Sequence, residues 1–221
     1  MFEIQRLTKT YTRSKHQVHA LKDVSLTVDT GSFIAVTGPS GSGKTTLLLS
    51  LGGLIRPSGG YVKYNSQNLY TLPESGLAMF RNQTIGFVLQ TFNLVPYLTA
   101  VENVMLPMLP QARNGTDPKQ RAMELLDTLG LADRKDFRPR ELSVGQQQRI
   151  AIARALANEP DVILADEPTG NLDPALSEEI LDVLEDLNKN QSKTVVLVTH
   201  SPQASARAGI VLKLREGMLV S

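Results

Sequence analysis

The sequence predicts an α/β fold with a mostly parallel sheet, an antiparallel β flank and an inserted helical subdomain. Short β-branched runs recur at residues 34–37, 85–89, 162–165, 194–199 and 210–214. Helical patterns lie between several of them, as strands joined by crossovers require. A glycine-rich run, Gly38-Pro39-Ser40-Gly41-Ser42-Gly43-Lys44-Thr45, follows the first of these strands and leads into an apolar helical stretch. Residues 91–158 carry helix signals and no strand run. The expected organisation is one domain over 1–221, with 1–90 and 159–221 forming the α/β core and 91–158 the helical part.

Residues 2–11, 18–28 and 61–64 read as the strands of the antiparallel flank. Next comes Phe33-Ile34-Ala35-Val36-Thr37, then the glycine run, then Thr46-Leu47-Leu48-Leu49-Ser50-Leu51, which is the strand, loop and helix context of a phosphate-binding loop. Glycine lets the backbone curl so that successive N–H groups point inward at β- and γ-phosphates, and the following helix adds its positive end. Lys44 can reach the β/γ oxygens. Thr45 offers the hydroxyl that an octahedral Mg²⁺ takes as a ligand.

In the helical part, Asp117 and Pro118 occupy the cap and first position of a helix with apolar Ala122, Leu125, Leu126 and Leu129, closed by Gly130 as its C-cap. The polar stretch 110–116 reads as a surface loop. Ser143 is a good N-cap, and the run Gln146-Gln147-Gln148-Arg149 continues as a helix, so that helix end attracts an anion. This second phosphate-binding element lies about a hundred residues beyond the first, and the pair suggests a nucleotide held between two copies of the chain.

The apolar strand Val162-Ile163-Leu164-Ala165 ends in Asp166 and Glu167. Adjacent strand residues face opposite sides, so Asp166 can address the water shell of a metal while Glu167, where the path bends through Pro168, addresses an attacking water. Asp173 and Pro174 open another helix, with Leu176, Ile180, Val183, Leu184 and Leu187 on its core face. His200 stands at the C-terminal edge of a strand, where ligands bind open α/β sheets. His16 and His19 lack such a context and read as surface residues. Residues 215–218 read as the turn of a small hairpin.

Composition excludes several classes of function. Net charge is +1 with no basic stripe, which leaves no electrostatic footprint for nucleic acid. No cysteine is present, so disulfides and thiolate metal sites are excluded. Met1 to Arg6 lacks the apolar core of a signal peptide, and runs such as Val195-Val196-Leu197-Val198 fall far short of the ~20 residues that cross a bilayer. A membrane role is therefore expected to come through a partner, and a cytoplasmic location is expected.

Leu142-Ser143-Val144-Gly145-Gln146 followed by Gln147-Gln148-Arg149, with the carboxylate strand and the glycine loop, resembles the ATP-binding subunits of ABC transporters over essentially the whole chain. The resemblance implies a P-loop NTPase core that binds ATP through Gly38, Pro39, Ser40, Gly41, Ser42, Gly43, Lys44, Thr45 and Thr46, with Tyr11 stacked on adenine. It implies Glu167, His200 and Gln90 around the γ-phosphate, with Mg²⁺ held by Thr45 and Gln90 and by Asp166 through water. The signature Leu142, Ser143, Val144, Gly145 and Gln146 would act in trans on the other copy of a homodimer, with Asn171, Leu172 and Asp173 crossing the interface.

Two positions depart from the family pattern. Val144 stands where glycine is commonest, and Ser201 follows the histidine where aspartate is usual, which leaves open how that turn is stiffened. Residues 90–104 and 169–173 resemble the branch of lipoprotein-releasing, macrolide-efflux and cell-division transporters. Members of that branch push on a permease, which implies peripheral association with the inner face of the plasma membrane. A permease is expected to dock beside Gln90, near Phe92, Leu94 and Tyr97, and to reach a periplasmic adaptor. A regulatory scaffold that transmits force without transport is equally compatible with this subunit. Soluble relatives in DNA repair or translation carry coiled-coil or zinc insertions, or fused cassettes, that 221 residues do not accommodate.

Overall fold

Three strands precede the first helix in the computed structural model, which describes residues 1–13, 16–114 and 117–220. They are β1 (Phe2–Arg13), β2 (His16–Val28) and β3 (Phe33–Thr37). Helix α1 (Lys44–Leu51) follows, then β4 (Gly59–Tyr64) and β5 (Gln67–Asn68). β1 pairs antiparallel with both β2 and β4, giving a four-stranded sheet of order β2-β1-β4-β5. This is the expected flank.

The chain then forms α2 (Glu74–Thr84), β6 (Ile85–Leu89), α3 (Ala100–Met105), α4 (Pro118–Thr128) and α5 (Val144–Leu156). The remainder is β7 (Val162–Asp166), α6 (Pro174–Lys189), β8 (Thr194–Val198), α7 (Pro202–Ala206), β9 (Ile210–Arg215) and β10 (Met218–Val220). The second sheet has the order β10-β9-β3-β8-β7-β6 and is parallel except at the β9–β10 hairpin.

The central strands β3, β7 and β8 carry unbroken apolar runs at 33–36, 162–165 and 195–198 because both faces are covered. Leu164 and Val196 pack with α1 residues Leu47, Leu48 and Leu51 and with Phe2 and Ile4 of the flank. Their neighbours Ile163, Ala165, Val195 and Leu197 face the other way, onto Ile180, Leu184 and Leu187 of α6. A third core, among them Val101, Val104, Ala122, Leu126 and Ile150, joins α3, α4 and α5. Among the described residues no strand falls between β6 and β7.

Several local expectations shift. The stretch read as a surface loop is a 3₁₀ segment, Leu106–Asn114, while Gly115 and Thr116 lie outside the described residues. Leu129 caps α4, and Gly130 sits one position beyond at φ 69°, the left-handed conformation that glycine tolerates best. Helix α2 has no counterpart in the sequence reading. Leu77 is its only fully buried residue, so it leaves almost no periodic trace.

Candidate active site

Four adjacent parallel strands, in the order β3-β8-β7-β6, end at one level, because Val36 and Asp166 both pair with Val198 and Asp166 also pairs with Leu89. The residues that follow these strand ends, which include Gln90 and Glu167, are therefore brought to one row at the carboxyl edge of the sheet. A cleft of about 650 Å³ opens there, lined by Ala20, by all nine residues from Gly38 to Thr46, and by Gln90, Glu167 and His200.

Lys44 is almost fully buried, and its ammonium donates to the carbonyls of Gly38 (2.8 Å) and Pro39 (3.0 Å) of its own loop. None of the ion pairs formed among the described residues involves it. Its charge is thus available to an anion that enters the loop. The Thr45 hydroxyl donates to Asp166 Oδ1 at 3.2 Å across 121 residues of sequence. Burial raises the Asp166 carboxyl above its ordinary value and the Glu167 charge raises it further, against the opposing effects of Thr45 and Lys44.

A hydroxyl and a carboxylate side by side are hard oxygen donors that suit Mg²⁺, which keeps several waters and shares phosphate oxygens. Among the described residues no group of three or more His, Cys, Asp or Glu side chains is placed to hold a metal ion. Thr45 and Asp166 would hold Mg²⁺, with Gln90 lining the same cleft.

Glu167 Oε1 lies 2.8 Å from His200 Nδ1, and because a carboxylate only accepts, that nitrogen carries the shared proton. Glu167 has φ 47°, a left-handed conformation uncommon outside glycine and concentrated at functional sites. Its N–H is held by the Val198 carbonyl (2.9 Å), and its own carbonyl accepts the Gly170 N–H (3.0 Å). A Cβ at Gly170 would lie 3.3 Å from Gln90 Nε2, so the absence of a side chain at 170 leaves room for the Gln90 amide. Asn171 Nδ2 donates to the Gln90 carbonyl at 3.1 Å, tying the 169–173 loop to the end of β6.

Ser201 answers the question raised by the missing aspartate. Its hydroxyl accepts the Ala204 N–H (3.3 Å) and its N–H donates to Thr199 Oγ1 (3.0 Å), so α7 is capped directly after His200. His16 and His19 are exposed, as expected.

The 142–146 segment lies elsewhere: none of its residues lines the cleft. Ser143 caps α5 with a full capping box, its hydroxyl accepting the Gln146 N–H (3.3 Å) while Gln146 Oε1 accepts the Ser143 N–H (2.9 Å). Leu142 is buried, Val144 is 45% exposed, and a Cβ on Gly145 would come within 2.8 Å of Leu176 at the start of α6. Asp173 is the N-cap of α6, accepting the Leu176 N–H (3.0 Å), and Leu172 packs on the core beneath. Tyr11 pairs with Val18 on the antiparallel flank, outside the residues lining the cleft, with Lys9 Nζ 5.1 Å from its ring centre.

Sequence reasoning missed three polar supports. Arg154 of α5 donates to the carbonyls of Phe92 (2.5 Å) and Asn93 (2.6 Å), just beyond Gln90, and burial lowers its pKa. Buried Asn103 pins residues 95–99 through Val95, Leu98 and Thr99. Arg81 of α2 donates to the Gly53 carbonyl at 2.9 Å. The detectable signal was a polar residue on an apolar helix face at Asn103; the carbonyl partners of the arginines left none.

Residues 21–170 match the family model described as ABC transporter. The chain is 43% identical over 221 residues to the lipoprotein-releasing system ATP-binding protein LolD of Geobacter metallireducens, covering 100% of this chain and 98% of that one. It is 44% identical to the uncharacterized ABC transporter ATP-binding protein YvrO of Bacillus subtilis, over 100% of this chain and 96% of that protein. Identity to the macrolide export ATP-binding/permease protein MacB of Syntrophobacter fumaroxidans is 45% over 99% of this chain, which spans only 31% of that longer protein. Among solved structures, a dimeric post-hydrolysis state of the ATP-binding cassette MJ0796 bound to ADP and Pi superposes with a TM-score of 0.94 at 40% identity, over 100% of this chain and 97% of that one. A phosphate loop, a hydroxyl–carboxylate pair and a Glu–His pair at one sheet edge are what such a cassette needs, and the chain belongs to the ABC transporter family as an ATPase that binds ATP with Mg²⁺ and hydrolyses it.

Proposed function

We propose that two copies of the chain close around two ATP molecules, the phosphate loop of each facing the 142–146 segment of the other, and that hydrolysis reopens the pair to drive a separate membrane permease. The observation that carries this reading is the separation of the two half-sites. The α5 N-terminus, with Ser143 and Val144 exposed, presents an anion-attracting end that its own cleft does not use. No arginine lines that cleft, so the stabilisation of transition-state charge that many such enzymes take from an arginine comes here from the other copy's helix end.

Within the cleft Glu167 accepts the proton of the attacking water, while His200 and Gln90 orient the γ-phosphate and the water. Asn171, Leu172 and Asp173 lie at the contact between copies. Tyr11 provides a π-face for the base. Tyr11→Ala is expected to weaken ATP and GTP to a similar degree in a fluorescence titration, because stacking reads a ring and not its substituents; unchanged affinity for both returns Tyr11 to strand packing.

The permease docks beside the segment from Gln90 to Tyr97. A groove of about 490 Å³ runs there between β6, α2 and α5, lined by Leu54, Arg81, Phe87, Leu89, Asn93 and Arg154 among others. Leu94 packs onto the helical core, whereas Tyr97 stands 73% exposed at the segment's end. Such a dock places the cassette on the inner face of the membrane, with any periplasmic adaptor reached through the permease.

The sandwich is tested by mixing two inactive chains. Lys44→Ala removes the phosphate-loop half and Ser143→Arg the signature half, so an equimolar mixture forms one intact composite site in each mixed pair. ATPase activity should reappear well above that of either variant alone. Activity no higher than the single variants rejects the trans arrangement.

A further inference from the structure

We propose that Gly217, in the turn of the C-terminal β9–β10 hairpin, is a positioning residue that aims the phosphate loop; this rests on the loop being the ATP site. Arg215 pairs with Met218, so Glu216 and Gly217 form a two-residue turn, and both have positive φ (51° and 83°) as the favoured hairpin turn demands. The Gly217 N–H donates to the Ser42 carbonyl at 3.0 Å, and the Gly217 carbonyl accepts the Lys22 N–H at 2.7 Å. One residue thus bridges β2 of the antiparallel flank to the middle of the phosphate loop, across 175 residues of sequence from Ser42.

The peptide bond between Ser42 and Gly43 is planar and trans, so its C=O and N–H point in opposite directions. Anchoring the Ser42 carbonyl on the hairpin side therefore turns the Gly43 N–H the other way, and Gly43 lines the cleft. Ser42 is buried, so without this donor its carbonyl would lose a hydrogen bond where water cannot readily replace it.

Space around the bridge is as restricted as its hydrogen bonding. A Cβ on Gly217 would stand 2.9 Å from the Ala20 carbonyl oxygen and 3.2 Å from Leu21 Cα, both backbone atoms. The loop presses on β2 and on the hairpin itself: a Cβ on Gly43 would meet the same Ala20 oxygen at 2.2 Å, and one on Gly38 would meet the Leu214 oxygen of β9 at 2.0 Å. Backbone meets backbone at all three glycines. Any side chain at 217 must push the turn off β2 or off Ser42, and with it the orientation of the Gly43 amide.

Among the described residues none of the hydrogen bonds of Glu167, Gln90 and His200 goes to the hairpin, so the effect belongs to nucleotide binding and not to the chemical step. Gly217→Ala is expected to raise the KM for ATP about tenfold or more while kcat at saturating ATP stays near the parental value. A residue with a merely structural role would lower kcat through loss of active protein and leave KM alone. Unchanged KM, or a fall in kcat at fixed KM, overturns the proposal. Lys44→Ala separates the two readings: if it also leaves ATP binding intact, the phosphate-loop assignment fails, and if only Gly217→Ala is silent, this inference alone fails. Should the alanine variant not fold, hydrogen exchange on the parent decides, because the Gly217 amide must be protected; exchange at the rate of an open turn overturns the bridge.

Discussion

Glu167→Gln is expected to lower ATP turnover by about 10²- to 10⁴-fold, equivalent to about 3 to 5 kcal/mol of transition-state stabilisation, while ATP affinity holds. Glutamine keeps the size of the side chain and one oxygen that can still accept the His200 Nδ1 proton. What it loses is the ability to take a proton from water. Binding without hydrolysis then holds the closed pair, so the variant with ATP should run as a dimer on gel filtration and the parent with ADP as a monomer. Hydrolysis at the parental rate, or a monomer at saturating ATP, would move the catalytic base to Asp166, whose raised pKa and contact with Thr45 make it the next residue to test.

The second large effect is on binding itself. Lys44→Ala removes a buried ammonium that donates to the carbonyls of Gly38 and Pro39 and faces the cleft. Hydrogen bonds to charged groups contribute about 1.5–3 kcal/mol each, so losing the contacts to two phosphates should weaken ATP by about a hundredfold or more. Far-UV circular dichroism should be unaltered, since Lys44 opens α1 while the apolar anchors Leu47, Leu48 and Leu51 remain. Affinity within about twofold of the parent, under conditions where a tenfold change is 1.4 kcal/mol, would refute the phosphate-loop assignment.

Much of the site was legible because its parts are local patterns. The strand, glycine loop and helix around Lys44 occupy contiguous residues, as do the carboxylates at the end of β7 and the Ser143 cap with Gln146 three residues on. Each of these is set by φ, by alternation or by capping chemistry within a few residues, and such effects survive in any tertiary context that buries the apolar face. The β1, β2 and β4 flank was legible for the same reason: β-branched and aromatic residues between turn signals.

Where the reading failed, the decisive partners are distant or the local signal is weak. Helix α2 buries little beyond Leu77, and the segment before Asn114 turns as 3₁₀ although proline and polar residues there suggested an open loop. Arg154 reads in sequence as one more charged residue on an amphipathic helix. Only the packing of α5 beside β6 shows that its guanidinium holds the two carbonyls after Gln90, 61 and 62 residues upstream.

The sequence by itself determined the chemistry: which residues can cradle phosphate, which carboxylates end a strand, and which helix end attracts an anion, because these depend on residue type and short spacing. Tertiary structure alone decided their assembly. Register among β3, β8, β7 and β6 places Glu167 within 2.8 Å of His200, and the fold brings Thr45 to 3.2 Å from Asp166. It also leaves the Ser143 helix end outside its own cleft and sets the last hairpin against the middle of the phosphate loop. Local interactions reach a few residues along the chain, whereas strand register and backbone-to-backbone contact are settled only when the whole core closes.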